Sequence, residues 1–206
     1  MHIPDHRDRE VAQRYFKPFI PHFQNCKNVL EVASGQGFFL EEMVAANIPA
    51  QGLELDKELC KSMQARDLPI EQGDLFERLA NHTGPAFDGC MASHIVEHFL
   101  PEQVDRMLGL LHGVTSEGGV LVLITPNMAN LRRASGDFWR DPTHVRPYPV
   151  SALSKLLQRN GWEVVSHGEH TDRVFSLKRK VIYGLRNLLL GRYWGGDDLY
   201  VVARRV

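Results

Sequence analysis

The 206-residue chain has little cysteine, no long apolar run and no excess of either charge. Its three cysteines, Cys26, Cys60 and Cys90, are widely spaced and odd in number, which indicates neither a disulfide framework nor a zinc ribbon. The longest apolar run, residues 120–124, is far shorter than the roughly 20 residues that span a bilayer. The first twenty residues are charged and lack the apolar segment of a secretory signal. We therefore expect a soluble cytoplasmic protein.

The charge balance and the composition exclude further classes of protein. The chain has 24 Lys and Arg against 25 Asp and Glu, a net charge of −1, so no overall basic field favours nucleic acid and we expect no nucleic-acid partner. Its 43% hydrophobic and 24% charged residues are typical of a soluble globular protein. The length fits one domain, which we expect to cover residues 1–206.

Short apolar segments alternate with helical patterns along most of the chain. Strands are predicted over 28–33, 50–55, 70–72, 87–92, 120–125, 162–166 and 198–203, and helices over 38–46, 57–65, 101–112 and 151–160. Gly118 and Gly119 are expected to lie before the most buried strand, and Ser151 to cap the last helix. This alternation predicts an α/β fold with a doubly wound, mostly parallel seven-stranded sheet and helices on both faces.

Two segments do not follow this alternation. Residues 126–150 hold four prolines and predict an irregular loop, which in a compact domain is typical of a lid or binding loop. Residues 173–192 hold six Arg or Lys and no acid, with leucines at helical spacing, and predict a basic amphipathic insertion. We expect this helix to pack on the domain; the alternative is peripheral contact with an anionic membrane.

A glycine-rich turn follows the first strand at residues 31–37. Gly35 and Gly37 allow the backbone to approach a ligand, and the helix that follows favours negative charge at its N-terminus. Glu54 ends the second strand, where a carboxylate can accept both ribose hydroxyls. Asp74 follows the third strand, where an acid can meet an adenine amino group. Each of these acids alone is explained equally well as a solvated loop carboxylate.

The ordered motifs resemble those of class I S-adenosylmethionine-dependent methyltransferases, whose sheet is Rossmann-like. They are EVASGQG at 31–37, GLELD at 52–56, GDL at 73–75, FDGCMASHIVEHF at 87–99 and LLHGVTSEGGVLVLITPN at 110–127. The resemblance covers residues 11–166. A dehydrogenase is the rival within this fold, but Leu40 stands at the third glycine position of a dinucleotide turn and would hinder close packing of helix on strand.

The resemblance implies S-adenosyl-L-methionine as cofactor. Glu31 would orient the methionine ammonium, Glu54 would bind the ribose, and Asp74 with Leu75 would frame the adenine. The implied cofactor-binding residues are Glu31, Ala33, Ser34, Gly35, Gly37, Glu54, Leu55, Asp74, Leu75 and Ser93. Ala33 departs from the family, which has glycine at this place, so we expect the turn to be positioned slightly differently.

Candidate metal ligands follow the fourth strand and recur in the loop. His94, Glu97, His98 and the later His144 resemble the metal site of small-RNA 3′-end 2′-O-methyltransferases and of some quinone O-methyltransferases. In that pattern a glutamate stands at the position that His94 occupies in this chain. Three imidazoles and one carboxylate would suit Zn²⁺ better than Mg²⁺. Because the pattern is broken at His94, and because a Glu-His pair follows this strand in many methyltransferases that need no metal, we expect no metal.

Without a metal, His144 and His98 are the candidate catalytic residues, since histidine can remove a hydroxyl proton near neutral pH. A hydrogen-bonded loop histidine is the alternative for each. Asp141 could orient His144, and Arg146 could bind an anionic substrate group. Tyr148 completes the predicted substrate contacts.

The loop sequence resembles that of one particular branch of these methyltransferases. TPNMANL at 125–131, FWRDPTHVRPY at 138–148 and NGW at 160–162 resemble methyltransferases found with enzymes of bacterial surface-polysaccharide (O-antigen) modification. This branch implies O-methylation of a glycan or another small-molecule acceptor. A quinone or other small aromatic acceptor is an alternative, and so is a non-catalytic cofactor-binding partner subunit. The sequence does not indicate an oligomeric state.

Overall fold

Seven strands form one sheet in the computed structural model, which describes residues 6–171, 181, 182, 184, 185, 188 and 195–206. The strands are β1 (Val29–Val32), β2 (Ala50–Glu54), β3 (Ile70–Gln72), β4 (Phe87–Ser93), β5 (Thr115–Pro126), β6 (Trp162–His170) and β7 (Asp198–Arg205). Their order across the sheet is β3-β2-β1-β4-β5-β7-β6. The first five run parallel, and β7 is antiparallel to both neighbours. The predicted fold class is confirmed.

Helices cover both faces of the sheet. They are α1 (His6–Phe16), α2 (Phe38–Ala45), α3 (Lys57–Gln64), α4 (Leu75–Ala80), α5 (Pro101–Val114) and α6 (Val150–Arg159). The inner strand β5 shows why two covering layers are needed. Val122 packs in the cluster that includes Phe39 of α2, whereas Leu121 and Leu123 pack in the cluster that includes Leu108 of α5. An uninterrupted apolar strand therefore buries both of its faces.

Strand β5 begins five residues earlier than predicted, at Thr115 rather than residue 120. Gly118 and Gly119 lie inside the strand, at the place where its register against β4 shifts between Phe87 and Gly89. Gly118 has a φ of +74°, a conformation that glycine adopts readily. The glycine pair thus marks an irregularity within the strand and not its beginning.

The loop after β5 is more regular than its prolines indicate. It contains a π-helical turn at Arg133–Asp137 and a 3-10 turn at Phe138–Arg140, so the prediction of an irregular loop over all of 126–150 is wrong. Helix α6 has Pro149 at its N-cap, and not Ser151 as predicted.

Most of the predicted insertion at 173–192 lies outside the described residues. Among the described helices, none is long and apolar enough to cross a membrane.

Candidate active site

The strand order reverses at β1, which lies between β2 and β4. In open α/β sheets ligands bind at such a reversal, beyond the carboxyl ends of the strands. The turn that leaves β1 has left-handed backbone at three positions, with φ of +55° at Ala33, +54° at Gly35 and +76° at Gly37. Ala33 takes this conformation at a cost of about 1–2 kcal/mol, so the alanine is accommodated within the turn.

Gly35 and Gly37 serve different purposes in this turn. A Cβ on Gly37 would lie 2.7 Å from Met63 Sδ and 2.9 Å from Leu68 Cδ1, so glycine is needed there for packing. A Cβ on Gly35 would meet nothing within 4 Å. The backbone of Gly35 therefore borders open space, as a turn that receives a ligand requires.

Two acids hold the loops of this edge in place. Glu54 Oε2 accepts a hydrogen bond from Gly35 N at 2.8 Å, and its Oε1 accepts one from Asp56 N at 2.9 Å. Asp74 caps α4 by accepting from the first-turn amides through Oδ1. Each carboxylate still has lone pairs for a ligand. Leu55 beside Glu54 is 66% exposed, whereas Leu75 is buried against α5.

Several buried polar atoms at this edge have no hydrogen-bond partner within the described part of the chain. They are Glu31 Oε2, Gln36 Oε1 and Ser93 Oγ, whereas the neighbouring Ser34 Oγ contacts Glu31 O at 3.4 Å. Burial, reinforced by the charge of Glu54, raises the pKa of Glu31 to about 8. Orphaned buried polar groups are rare and call for an explanation. A ligand with a cationic ammonium and hydroxyl donors, such as S-adenosylmethionine, fits this edge.

Glu97 is fully buried just beyond β4. Its Oε1 accepts from His94 Nδ1 at 3.1 Å, and its Oε2 accepts from Thr125 Oγ1 at 2.9 Å. Burial alone would raise the pKa of Glu97, but the hydrogen bond and charge of His94 hold it below its ordinary value. Val145 N and Arg146 N donate to Glu97 O at 2.8 and 3.2 Å. Glu97 thus fixes the loop against the end of β4.

These backbone bonds bring the two predicted catalytic histidines together. The ring centroids of His98 and His144 are 4.8 Å apart. His98 Nδ1 lies 2.9 Å from Thr143 Oγ1, whose proton goes to Asp141, and 3.3 Å from Thr143 O, and His144 Nδ1 lies 2.7 Å from Phe138 O. Because a carbonyl oxygen only accepts, both Nδ1 atoms carry the proton. Each Nε2 therefore presents a lone pair, and neither makes a hydrogen bond to another described residue.

The predicted substrate contacts separate into surface and core residues. Asp141 is exposed, and its Oδ2 lies 3.9 Å from His144 Nε2. Hydrogen bonds from Thr143 hold the pKa of Asp141 below its ordinary value. Arg146 is also exposed. Tyr148 is 1% exposed, and its hydroxyl donates to Phe99 O at 2.7 Å. Tyr148 therefore belongs to the core, and its prediction as a substrate contact is not supported by its position.

A hydrogen-bond network that the sequence did not reveal surrounds His94. Its Nε2 lies 2.9 Å from Tyr15 Oη in α1, and Tyr15 Oη donates to Asp198 Oδ2 at 3.0 Å. Burial, followed by the charge of Asp198, raises the pKa of Tyr15 well above its ordinary value. Burial would lower the pKa of His94, but Glu97 and Asp198 outweigh it and the pKa is raised. The ring of His94, whose side chain is 40% exposed, thus lies between the carboxyl groups of Glu97 and Asp198, and Arg133 donates to the other oxygen of Asp198.

No local motif marks this network, because its members are far apart along the chain. Tyr15 and Asp198 are separated by 183 positions. The one available signal is the pairing of β7 with β5, since it places Asp198 opposite Pro126 at the same edge as Glu97. Thr143 was missed for a similar reason, because its contact with His98 spans 45 positions.

Comparison with known proteins agrees with this geometry. Residues 5–167 match the family model described as a methyltransferase domain. A SAM-dependent methyltransferase from Archaeoglobus fulgidus has a TM-score of 0.81 and 25% identity, with 96% of this chain and 94% of that chain covered. For an S-adenosylmethionine-dependent methyltransferase from Mesorhizobium loti, the TM-score is 0.66 and the identity 19%, with coverage of 92% and 95%.

Magnesium protoporphyrin IX methyltransferase from Synechocystis PCC 6803, solved with bound SAH, has a TM-score of 0.63 and 14% identity, with coverage of 96% and 82%. Among curated proteins none matches the chain. The match to the family model extends over most of the sequence and includes both the turn after β1 and the loop after β5. The chain therefore belongs to the methyltransferase domain family and is an S-adenosylmethionine-dependent methyltransferase.

Proposed function

We propose that this enzyme methylates an oxygen of a saccharide-containing or related polar acceptor. The observation that carries the proposal is the pair of free Nε2 atoms on His98 and His144, beside the sheet edge that fits the cofactor. When bound, S-adenosylmethionine supplies a methyl group that an acceptor atom takes up by in-line displacement. A weakly acidic hydroxyl must lose its proton to do this, and imidazole is suited to that task near neutral pH.

On the cofactor side, each residue has a task that its position supports. The unpartnered Oε2 of Glu31 is available to an ammonium group, because nothing else described satisfies it. Gly35 leaves its ligand side open. Glu54 is held by two backbone amides, so its remaining lone pairs point in fixed directions for ribose hydroxyls. Asp74 Oδ2, which the helix cap leaves unused, is available to the adenine amino group.

On the acceptor side, the loop after β5 supplies the polar groups. His144 and His98 activate the hydroxyl, and the exposed guanidinium of Arg146 binds an anionic group such as a phosphate on a sugar. Trp139 is 59% exposed and offers a flat apolar face. A quinone or other small aromatic acceptor would also stack on this face, so it is the second candidate substrate class.

The direct test is transfer of a labelled methyl group. The protein is incubated with methyl-labelled S-adenosylmethionine and, in separate reactions, a panel of nucleotide-linked and lipid-linked sugars and a panel of quinols. Label in a sugar fraction that resists mild base, as an ether does, supports the proposal. Label in the quinol panel alone would shift the function to the alternative. Cofactor binding with no transfer to any acceptor would identify a non-catalytic partner subunit.

The two glycines of the turn should fail in different ways when changed to alanine. Gly35→Ala costs about 1–2 kcal/mol of backbone strain at a φ of +54°. Its methyl group also enters the open ligand space, and we expect affinity for S-adenosylhomocysteine to fall about tenfold or more, the equivalent of about 1.4 kcal/mol. Gly37→Ala forces the methyl group against Met63 and Leu68 and should lower the free energy of unfolding by about 1–3 kcal/mol. Gly113→Ala, in open space within α5, is the control. Calorimetry and urea unfolding measure the two effects; unchanged affinity in Gly35→Ala would contradict this assignment.

Glu31 should make the stability of the ligand-free protein depend on pH. Its pKa is about 8 when folded, above its value in the unfolded chain, so its stabilising contribution is complete below about pH 4.5 and is lost as pH rises through 8. The unfolding free energy should therefore fall by at most about 1.4 kcal/mol per pH unit over this window because of Glu31. Glu31→Gln removes this dependence, so its advantage over the wild type should grow from pH 5 to pH 8 in thermal unfolding. A difference that stays constant with pH would show that Glu31 is ionised throughout.

His144→Ala should lower turnover and leave cofactor affinity nearly unchanged. The expected loss is about 10²–10⁴-fold if His144 activates the acceptor. The exposed His167 of β6 provides the matched control, His167→Ala. Initial rates give turnover and calorimetry with S-adenosylhomocysteine gives affinity. Wild-type turnover in a folded His144→Ala protein would show that this histidine is structural.

A further inference from the structure

The side chains of Glu97, His98 and His144 converge at one point of the acceptor side. One ligand atom from each residue lies within 4.8 Å of the other two. We propose that these three residues bind a divalent cation, Zn²⁺ by its ligand chemistry, which holds the acceptor hydroxyl. The identity of the bound oxygen rests on the proposed function. Binding of the cation itself does not depend on that function.

The surroundings of the two histidines match those of metal ligands. A histidine that binds a metal through one nitrogen almost always donates its other N–H to a carbonyl or carboxylate, which fixes the ring and its tautomer. His98 meets this condition at Thr143 O, and His144 meets it at Phe138 O. Both Nε2 lone pairs are therefore formed and oriented before any ion is present.

Glu97 supplies the carboxylate of the set. Its two oxygens each accept one hydrogen bond, from His94 and from Thr125. A carboxylate oxygen has a second lone pair, so Glu97 can bind a cation without losing either bond. Two histidines and one glutamate, with a fourth position left open for water or substrate, are a ligand set of catalytic zinc sites.

The broken motif at His94, on which the expectation of no metal depended, does not affect this set. His94 has a φ of +53°, and its ring nitrogens contact Glu97 Oε1 and Tyr15 Oη. It thus lies behind Glu97, as a residue that orients a ligand, and outside the group of three that converge. A glutamate is not needed at this position for the cluster to form.

Binding requires a small closure of the site. The three ligand atoms lie within 4.8 Å of one another, and two ligands at about 2.1 Å from a zinc ion are at most about 4.2 Å apart, so any pair farther apart than this has to approach. Both histidines are partly exposed, and His144 lies on the loop, so a small loop movement suffices. With Zn²⁺ bound, the acceptor oxygen would take the open position and the ion would lower its pKa, so that its proton could leave to solvent water while His98 and His144 act as ligands in place of bases.

The test is direct metal binding by the full chain. The purified protein is stripped with a chelator, and Zn²⁺ and Co²⁺ are titrated separately by calorimetry and by the visible absorption of tetrahedral Co²⁺. We expect one ion per chain. His98→Ala and His144→Ala should each weaken binding by about 100-fold or more, since even the loss of an outer-sphere partner costs 10–100-fold. The control His167→Ala should bind normally.

The outcomes separate this inference from the proposed function. Failure of both ions to bind the wild-type chain, or binding that neither histidine variant weakens, overturns the metal site. If methyl transfer then persists in chelator and still depends on His144, that residue acts as a general base and the proposed function stands. Conversely, a bound ion with no methyl transfer to any acceptor would leave the site in place and overturn the function.

Discussion

The hydrogen bonds of the buried Glu97 are the constraint on which the position of the loop after β5 depends. Its carboxylate accepts from His94 at the end of β4 and from Thr125 at the end of β5, and its carbonyl accepts from two amides of the loop. A charge taken out of water is tolerated when it is paired and hydrogen-bonded, and removal of one partner of a buried pair costs about 3–5 kcal/mol. The position of His144 relative to His98 therefore follows from Glu97 as much as from the loop sequence.

At the turn after β1, by contrast, buried polar groups lack hydrogen-bond partners among the described residues. At the reversal of strand order, buried polar atoms such as Glu31 Oε2 are left without partners in the described chain, and the backbone is left-handed at three positions. The orphaned polar atoms and the left-handed backbone of Ala33 each cost stability in the ligand-free protein, whereas the two glycines adopt this backbone readily. The apolar layers on both faces of β5, together with the two amides that hold Glu54, supply the rigidity that maintains them. One edge of the sheet thus combines unsatisfied polar groups at the turn after β1 with a fully hydrogen-bonded carboxylate, Glu97, after β4.

Periodicity and motif order were sufficient to predict the sheet, whereas the cofactor-binding residues stay a prediction. Strand β5 shows why, since five consecutive apolar residues suit only a strand that is covered on both faces. Boundaries were less predictable. Gly118 and Gly119 looked like a stop because glycine both ends elements and permits irregularities within them, and only the register against β4 distinguishes these roles. Helix α4 has six residues, too few to show a helical period.

The positions of individual side chains were less predictable where distant contacts decide them. Tyr148 lies among polar loop residues in the sequence, yet its ring is in the core and its hydroxyl bonds to Phe99 O. His94 has the spacing of a metal ligand, but its left-handed backbone and its contact with Tyr15 place it behind Glu97. Neither contact has a local signature, because each depends on how remote segments meet at the edge of the sheet.

The central claim is that the edge between β1 and β4 receives S-adenosylmethionine. Titration of the ligand-free protein with S-adenosylhomocysteine and, separately, with NAD tests it most directly, since both ligands carry an adenosine and only the first carries the amino-acid portion that Glu31 would bind. The account predicts one S-adenosylhomocysteine per chain, weakened in Glu54→Ala by about 1–3 kcal/mol through lost hydrogen bonds to the ribose, and no binding of NAD. Preferential binding of NAD, or binding of S-adenosylhomocysteine that Glu54→Ala does not alter, would contradict it.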